Sequence, residues 1–278
     1  MRVAAFNVNG IRAAVRRGYV DWQRSAAPDI VCLQEVRAPV AQVPPAAIDG
    51  YHFSYHEGDR AGRNGVAVLS RVAPSAVRCG FSPADGADGA DDPDGFDAQG
   101  RYLEVDLPGL TVASLYLPKG DVYGEKYAAK MRFLALLQAQ LAKSVRRSRR
   151  SHREFLVCGD FNIAPAEADI RSWKSNLKSE GFLPQERDWF GEQTSGPLVD
   201  VVRQLRPDEV GPFSWWTWRG QAFDNDAGWR IDHQLATPAL AARAERAWVD
   251  RAESYPLRMS DHAPVLVDYG DKSVGRRR

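Results

Sequence analysis

The sequence predicts a single α/β domain. Three observations carry that reading. Short apolar runs of strand length recur along all 278 residues, helical patterns separate several of them, and only one stretch breaks the alternation with linker-like composition. The chain is long enough for one large core, and 44% hydrophobic with 26% charged residues is the balance of a water-soluble globular protein. No apolar run approaches the ~18 residues that cross a bilayer, so no membrane is expected. The opening "MRVAAFNVNG" begins directly on strand-like sequence without a signal-peptide layout, and Cys32, Cys79 and Cys158 have no metal-like spacing. These features lead us to expect a cytoplasmic protein with three reduced thiols in its core.

In chain order, "RVAAFNV" is the first expected strand, and "VDWQRSAAP" the first helical stretch. "DIVCLQEV" and "GVAVLS" follow as strands. Residues 84–100, "ADGADGADDPDGFDAQG", carry six aspartates and no lysine or arginine, the composition of a mobile acidic surface loop. Removing those six charges from a net +1 leaves +7 on the rest of the chain. "RYLEVDL" and "LTVASLYL" are the next strands. The longest helical pattern comes after them, with Met131, Leu134, Leu137 and Leu141 at the spacing of one packed face. It ends in "KSVRRSRRSHR", where six cations suit either a solvated helix C-terminus or a phosphate contact. "EFLVCGDF", "RIDHQLAT" and "HAPVLVDY" complete the expected strands. Residues 1–270 therefore read as one domain, followed by a basic, disordered tail at 271–278.

"FLVCGDFNIAP" poses a chemical question. Its apolar start reads as a buried strand, Gly159 allows a close turn, and Pro165 ends the segment. Asp160 and Asn162 between them point to one face, because the strand period is two. An Asx turn accounts for the pair locally. The same pattern recurs, however. Asn7 follows "VAAF", Glu35 follows "DIVCLQ", Tyr116 follows "TVASL", Asp232 interrupts "WRIDHQLAT", and Asp261 with His262 precedes "APVLVDY". Ligands collect beyond strand ends in open α/β folds. Each buried polar group without a partner costs ~1–3 kcal/mol, so so many at strand ends call for a shared purpose. Glu, Asp and Asn offer oxygen and amide ligands, which suit Mg²⁺ or a substituting Mn²⁺ completed by a substrate phosphate. A lone histidine beside acids suits proton handling, with Asp232 holding His262 oriented. Metal-assisted attack of water on a phosphodiester fits this set.

In order and spacing, "FNVNGIRA", "DIVCLQEVR", "LYLPKG", "GDFNIAP", "RIDHQLAT" and "SDHAPV" resemble the exonuclease III type of abasic-site endonucleases, within the endonuclease/exonuclease/phosphatase superfamily. The resemblance covers nearly the whole chain. "GFLPQERDWF" and "FSWWTWR" are similar to the exonuclease III branch rather than the lipid-phosphate branches. It implies a deoxyribonuclease I-like four-layer sandwich: two packed mixed β-sheets flanked by helices, with the site at one edge. It also implies that Glu35 is the principal metal ligand with Asn7 beside it, and that Asp261 assists metal or leaving group. Tyr116 would touch the scissile phosphate, Asp160 would orient or deprotonate water, Asn162 would position water or phosphate, and His262, held by Asp232, would stabilise the charged transition state. Trp215, Trp229 and Ile231 would wall a pocket for a flipped-out, base-free deoxyribose. Lys126, Arg219 and Arg230 are the implied DNA contacts, although Lys126 suits a solvated helix start and both arginines have aspartates nearby. The resemblance implies a monomeric, cytoplasmic, nucleoid-associated repair nuclease acting on duplex DNA with abasic sites or with blocked or recessed 3′ ends. The other two readings are a lipid- or sugar-phosphate phosphatase and an inactive DNA-binding paralogue, the latter disfavoured because Glu35, Asp160, Asp232 and His262 are all present.

Overall fold

The computed structural model describes residues 1–81 and 94–270. Among these, twelve strands form two six-stranded sheets. The first contains β1 (Arg2–Asn7), β2 (Ile30–Gln34), β3 (His52–His56), β4 (Val66–Ser70), β11 (Ala244–Val249) and β12 (Val265–Tyr269), in the order β11-β12-β1-β2-β4-β3. The second contains β5 (Ala76–Cys79), β6 (Tyr102–Leu107), β7 (Leu110–Tyr116), β8 (Glu154–Asp160), β9 (Val199–Asp200) and β10 (Asp232–Ala236), in the order β5-β6-β7-β8-β10-β9. Both sheets are mixed: β1 runs parallel to β2 and β7 parallel to β8, while the other pairs are antiparallel.

Every expected strand is present. The four that the apolar runs did not announce, β3, β5, β9 and β11, are the four sheet edges. An edge strand keeps one side toward solvent and so carries no continuous apolar run. Cys79 lies on such an edge and is exposed, which corrects the expectation of three core thiols; Cys32 and Cys158 are buried.

The layering follows from strand periodicity. Val3, Ala5, Ile30 and Cys32 of the first sheet face Val112, Leu156 and Cys158 of the second, forming the core between the sheets. Their alternates Ala4, Phe6, Val31 and Leu33 face outward beneath α1 (Ile11–Arg16) and α2 (Tyr19–Ala26). On the other side, α3 (Glu125–Arg150) and α4 (Pro184–Ser195) cover Ala113, Leu115, Phe155 and Val157. Strands buried on both faces are apolar at successive positions, so the sandwich explains the unbroken runs.

On α3, Phe133, Leu134, Leu137 and Leu141 are buried, whereas Met131 is a half-buried flank rather than part of the central face. The basic end of α3 is only partly solvated, because Arg147 pairs with buried Glu104 and Arg153 lies 3.6 Å from Asp106. Residues 84–93 of the acidic stretch and the tail at 271–278 lie outside the described residues. Residues 94–100 pack onto the body: Asp94 pairs with Arg132 at 2.7 Å, and Phe96 is buried against Phe133. No helix among the described residues is long and apolar enough to cross a membrane.

Candidate active site

The strand ends converge at one edge of the sandwich. Asn7 closes β1, Tyr116 closes β7 and Asp160 closes β8, while Glu35 lies one residue past β2. Asp232 opens antiparallel β10 and pairs in register with Asp160, and His262 precedes β12. The inward periodicity that buries Leu156 and Cys158 carries Asp160 into the gap between the sheets. Asn7 arrives from the opposite sheet in the same way. Its amide donates to Glu35 Oε1 at 2.8 Å and to Asp160 Oδ2 at 2.9 Å, tying the two halves of the sandwich together.

Local geometry explains the residue types. A Cβ on Gly159 would sit 2.0 Å from the Leu115 carbonyl oxygen of the neighbouring parallel strand, and its φ of 148° is one that side-chain-bearing residues rarely adopt. Asn162 is left-handed at φ 46°, a conformation that asparagine tolerates. Its backbone N–H donates to Asp160 Oδ1 at 2.9 Å, and its side chain donates to the Leu117 carbonyl at 2.9 Å. The Asx turn read from the sequence is therefore real. It holds Asp160 by one oxygen while Asn7 holds the other. Glu35 is also left-handed, at φ 51°, which turns its carboxylate out of the β2 plane into the same space.

Charge is finely arranged here. Burial drives the Asp160 carboxyl up to about 7, with His262 opposing the rise and Asp232 and Glu35 adding to it. Burial alone would lower His262, but Asp232 at 2.8 Å from Nδ1, followed by Asp160, raises it to about 10. His262 is therefore an imidazolium near neutral pH, with Nε2 3.7 Å from Asp160 Oδ2. Burial and the Glu35 and Asp160 carboxylates push the Tyr116 phenol well above its ordinary value, so its hydroxyl keeps its proton. Burial works against ionisation of Asp261, but His262 and hydrogen bonds from Asn9 at 2.7 Å and Trp215 Nε1 at 3.2 Å hold it below the usual carboxylate range.

These groups floor a cleft of about 430 Å³. Glu35, Tyr116, Asp160, Asn162, Asp261 and His262 line it together with Trp215, Trp229 and Ile231. Trp215 and Trp229 meet edge to face at 6.3 Å. Asn7 and Asp232 lie behind the lining, each supporting a residue that faces it. Lys126 and Arg219 are exposed and do not line the cleft.

Arg230 requires correction as a DNA contact. It is 2% exposed and pairs with Asp169 at 2.6 Å and Asp200 at 2.9 Å. It also faces His233, which burial and then the arginine push down to about 4. The neutral His233 ring accepts from Arg230 at Nδ1 and donates from Nε2 to the Ile163 carbonyl. A buried ion cluster at the ends of β9 and β10 outcompeted the surface role. Replacing Arg230 with Met is expected to lower stability by roughly 3 kcal/mol, because two buried carboxylates lose a cation, although Asp169 keeps Arg203 at 2.6 Å. Thermal unfolding should show this as a lowered Tm.

Sequence reading missed Lys119 and Lys178, two cations on the cleft wall, and Arg37, which pairs with Glu35. Lys119 stands in "LYLPKG" and Arg37 in "DIVCLQEVR", so both were visible as residues inside motifs. Their placement was not, since it depends on loops that have no periodicity.

The donor set accommodates a hard divalent cation. Asp232 Oδ1 is buried without a hydrogen bond, Glu35 Oε2 is met by the Arg37 guanidinium alone, and oxygen donors predominate. Asp160, Asp232 and His262 also bring ligand atoms within 4.8 Å of one another. A protonated His262 has no free lone pair, however, so the Glu35 side of the site is the better cation position.

The sequence profile described as the Endonuclease/Exonuclease/phosphatase family matches residues 4–262. The chain belongs to that family. Within it, the chain is 32% identical to exodeoxyribonuclease III of Haemophilus influenzae, over 97% of this chain and all of that one. Among solved structures, the 3′ phosphatase NExo from Neisseria bound to product DNA hairpin superposes with a TM-score of 0.83 at 31% identity, covering 98% of this chain and all of that one. An AP endonuclease from Archaeoglobus fulgidus superposes with a TM-score of 0.83 at 30% identity, covering 97% and 99%. The two packed mixed sheets are thus the family fold, and the exonuclease III resemblance read from the motifs holds along the chain.

Proposed function

We propose that this family member is a divalent-metal-dependent nuclease that hydrolyses the phosphodiester 5′ to an abasic site in duplex DNA, with accompanying 3′-phosphodiesterase and 3′→5′ exonuclease activity. One observation carries the reading. A carboxylate poised near neutrality and an imidazolium face each other at the floor of a cleft whose wall is Trp215, Trp229 and Ile231. The relatives named exodeoxyribonuclease and AP endonuclease support it.

Asp160, held at both oxygens, orients a water and accepts its proton as the oxygen attacks phosphorus. The His262 cation, fixed by Asp232, offsets the charge that grows on the phosphoryl oxygens. Tyr116 donates a hydrogen bond from its protonated hydroxyl, and Asn162 limits where the water or phosphate can sit. Glu35, with Asn7 and Asp261 nearby, would hold Mg²⁺, or Mn²⁺ in its place; bound there, the ion supplies Lewis-acid stabilisation of the phosphate and leaving oxygen. The aromatic wall selects a sugar without its base, since extrusion costs least where the base is already missing. Lys119 and Lys178 suit the flanking phosphates. A monomer acting on one duplex in the cytoplasm completes the proposal.

The test is cleavage of an end-labelled duplex carrying one stable abasic analogue, with Mg²⁺ and with EDTA, beside an intact duplex with a recessed 3′ end. A single Mg²⁺-dependent cut 5′ to the lesion is expected, with a 3′ ladder reporting the exonuclease share. An uncut duplex in Mg²⁺ and in Mn²⁺ would overturn the proposal in favour of a phosphatase or an inert binder, which gel-shift binding then separates.

A further inference from the structure

Lys130 is an unusual residue for its place. It sits on the buried face of α3, in line with Phe133, Leu134 and Leu137, and is 0% exposed. An ammonium in such surroundings is unfavourable unless all its donors are matched. Here two hydrogen bonds, to the Asn162 carbonyl at 2.9 Å and to Glu180 Oε1 at 3.1 Å, are joined by an ion pair to Glu186 Oε1 at 2.6 Å. Each acceptor belongs to a different part of the cleft's surroundings.

The Asn162 carbonyl lies in the left-handed residue whose N–H holds Asp160 Oδ1. Glu180 lines the cleft, and the oxygen that binds Lys130 also accepts the Gly120 N–H at 3.0 Å. That contact fastens the loop after Tyr116, which carries Lys119, to the segment 176–181. Glu186 accepts the Leu183 N–H at 3.0 Å and so secures the start of α4, directly after that segment.

We infer that Lys130 is a positioning residue for the reaction: its ammonium joins the loop that orients Asp160 and the two loops that bring Lys119 and Lys178 to the cleft, so that water and phosphate meet a single fixed geometry. The inference rests on the nuclease reading. Lys130 does not line the cleft; it acts through Asn162 and Glu180.

Three variants test it: Lys130→Met, the double variant Lys130→Met with Glu186→Gln, which relieves the abandoned carboxylate, and Glu180→Gln. Rates are measured under single turnover on the abasic duplex and normalised to active sites by titration. The expected loss per active site is about ten- to hundredfold in both Lys130 variants, the scale associated with slight misplacement of reacting groups. Glu180→Gln should raise KM and lower kcat by less than the Lys130 variants do, because it loosens the 176–181 loop and leaves the Lys130–Asn162 contact in place. Hydrogen exchange in the absence of DNA should rise together at 117–124 and 176–181 in the Lys130 variants. A lowered Tm with an unchanged per-site rate and unchanged exchange in those two segments would overturn the inference and leave Lys130 a core support. If wild type leaves the duplex intact, the nuclease reading fails by itself, and the exchange measurement still decides whether Lys130 joins the loops.

Discussion

Replacing Asp160 with Asn is expected to lower kcat for incision by about 10²–10⁴-fold, the range for loss of a positioned general base. The substitution keeps shape and removes the ability to take a proton. Two partners hold the wild-type carboxylate, the Asn162 N–H and the Asn7 amide. An amide can satisfy one of these donors with its oxygen but must turn its NH₂ toward the other, so one contact is lost in either orientation. Removing a buried negative charge also removes a repulsion felt by an incoming phosphate. Affinity for the abasic duplex in EDTA should therefore stay the same or tighten while kcat collapses. Single-turnover rates beside equilibrium binding make the comparison. A variant with wild-type kcat would exclude Asp160 as the base.

The second large effect is on the pH profile. His262 is raised to about 10, burial being overcome chiefly by Asp232 and then Asp160. Asp160 is raised to about 7 by burial. A reaction needing ionised Asp160 and protonated His262 rises with pH through about 7 and falls through about 10, giving a broad plateau between them. Replacing Asp232 with Asn removes the main support of the imidazolium, so the falling limb moves to lower pH and the plateau collapses toward the Asp160 limb. At pH 8 the expected loss is about 10²–10³-fold, that of a removed transition-state charge partner. The effect on stability has a definite sign. Because the folded-state value of His262 lies above its ordinary 6.5, its stabilising contribution is complete below 6.5 and disappears as pH rises through about 10. The Tm gap between wild type and Asp232→Asn should accordingly be largest in mild acid and narrow toward pH 10. Rate profiles and an NMR titration of His262 measure both. A falling limb that stays near 10 in the variant would show that Asp232 does not hold the charge.

How much of this was legible beforehand differs from residue to residue. The eight central strands announced themselves because burial on both faces favours apolar residues at successive positions, interrupted in β6 and β10 by buried polar residues such as Glu104 and Gln234. The edge strands did not, because solvent on one side permits sequences such as "HFSYH" that resemble loop. Asn7, Glu35 and Tyr116 stood out for the complementary reason: a polar residue that ends an apolar run has no local explanation, and His262 stood out just before such a run. Asp160 and Asn162 did have one, the Asx turn, and the structure shows that the turn and the site are one arrangement.

Arg230 and Lys130 mark the boundary of that method. Both are cations within or beside motif-bearing sequence, and nothing local distinguishes them from surface charges. Arg230 is buried because Asp169 and Asp200 come to it from positions 61 and 30 residues away, the first in a short helical turn and the second at the end of β9. Lys130 is buried because Asn162, Glu180 and Glu186 converge on it from beyond the end of its helix. The sequence by itself determined the α/β class, the strands that fill the core and the polar groups at their ends, because burial and strand period act over a few neighbouring residues. Only the tertiary structure decided which charges are buried, which loops form the cleft wall and how Asp160 and His262 acquire their shifted proton affinities, because those depend on desolvation and Coulomb contacts between groups that the chain brings together from far apart.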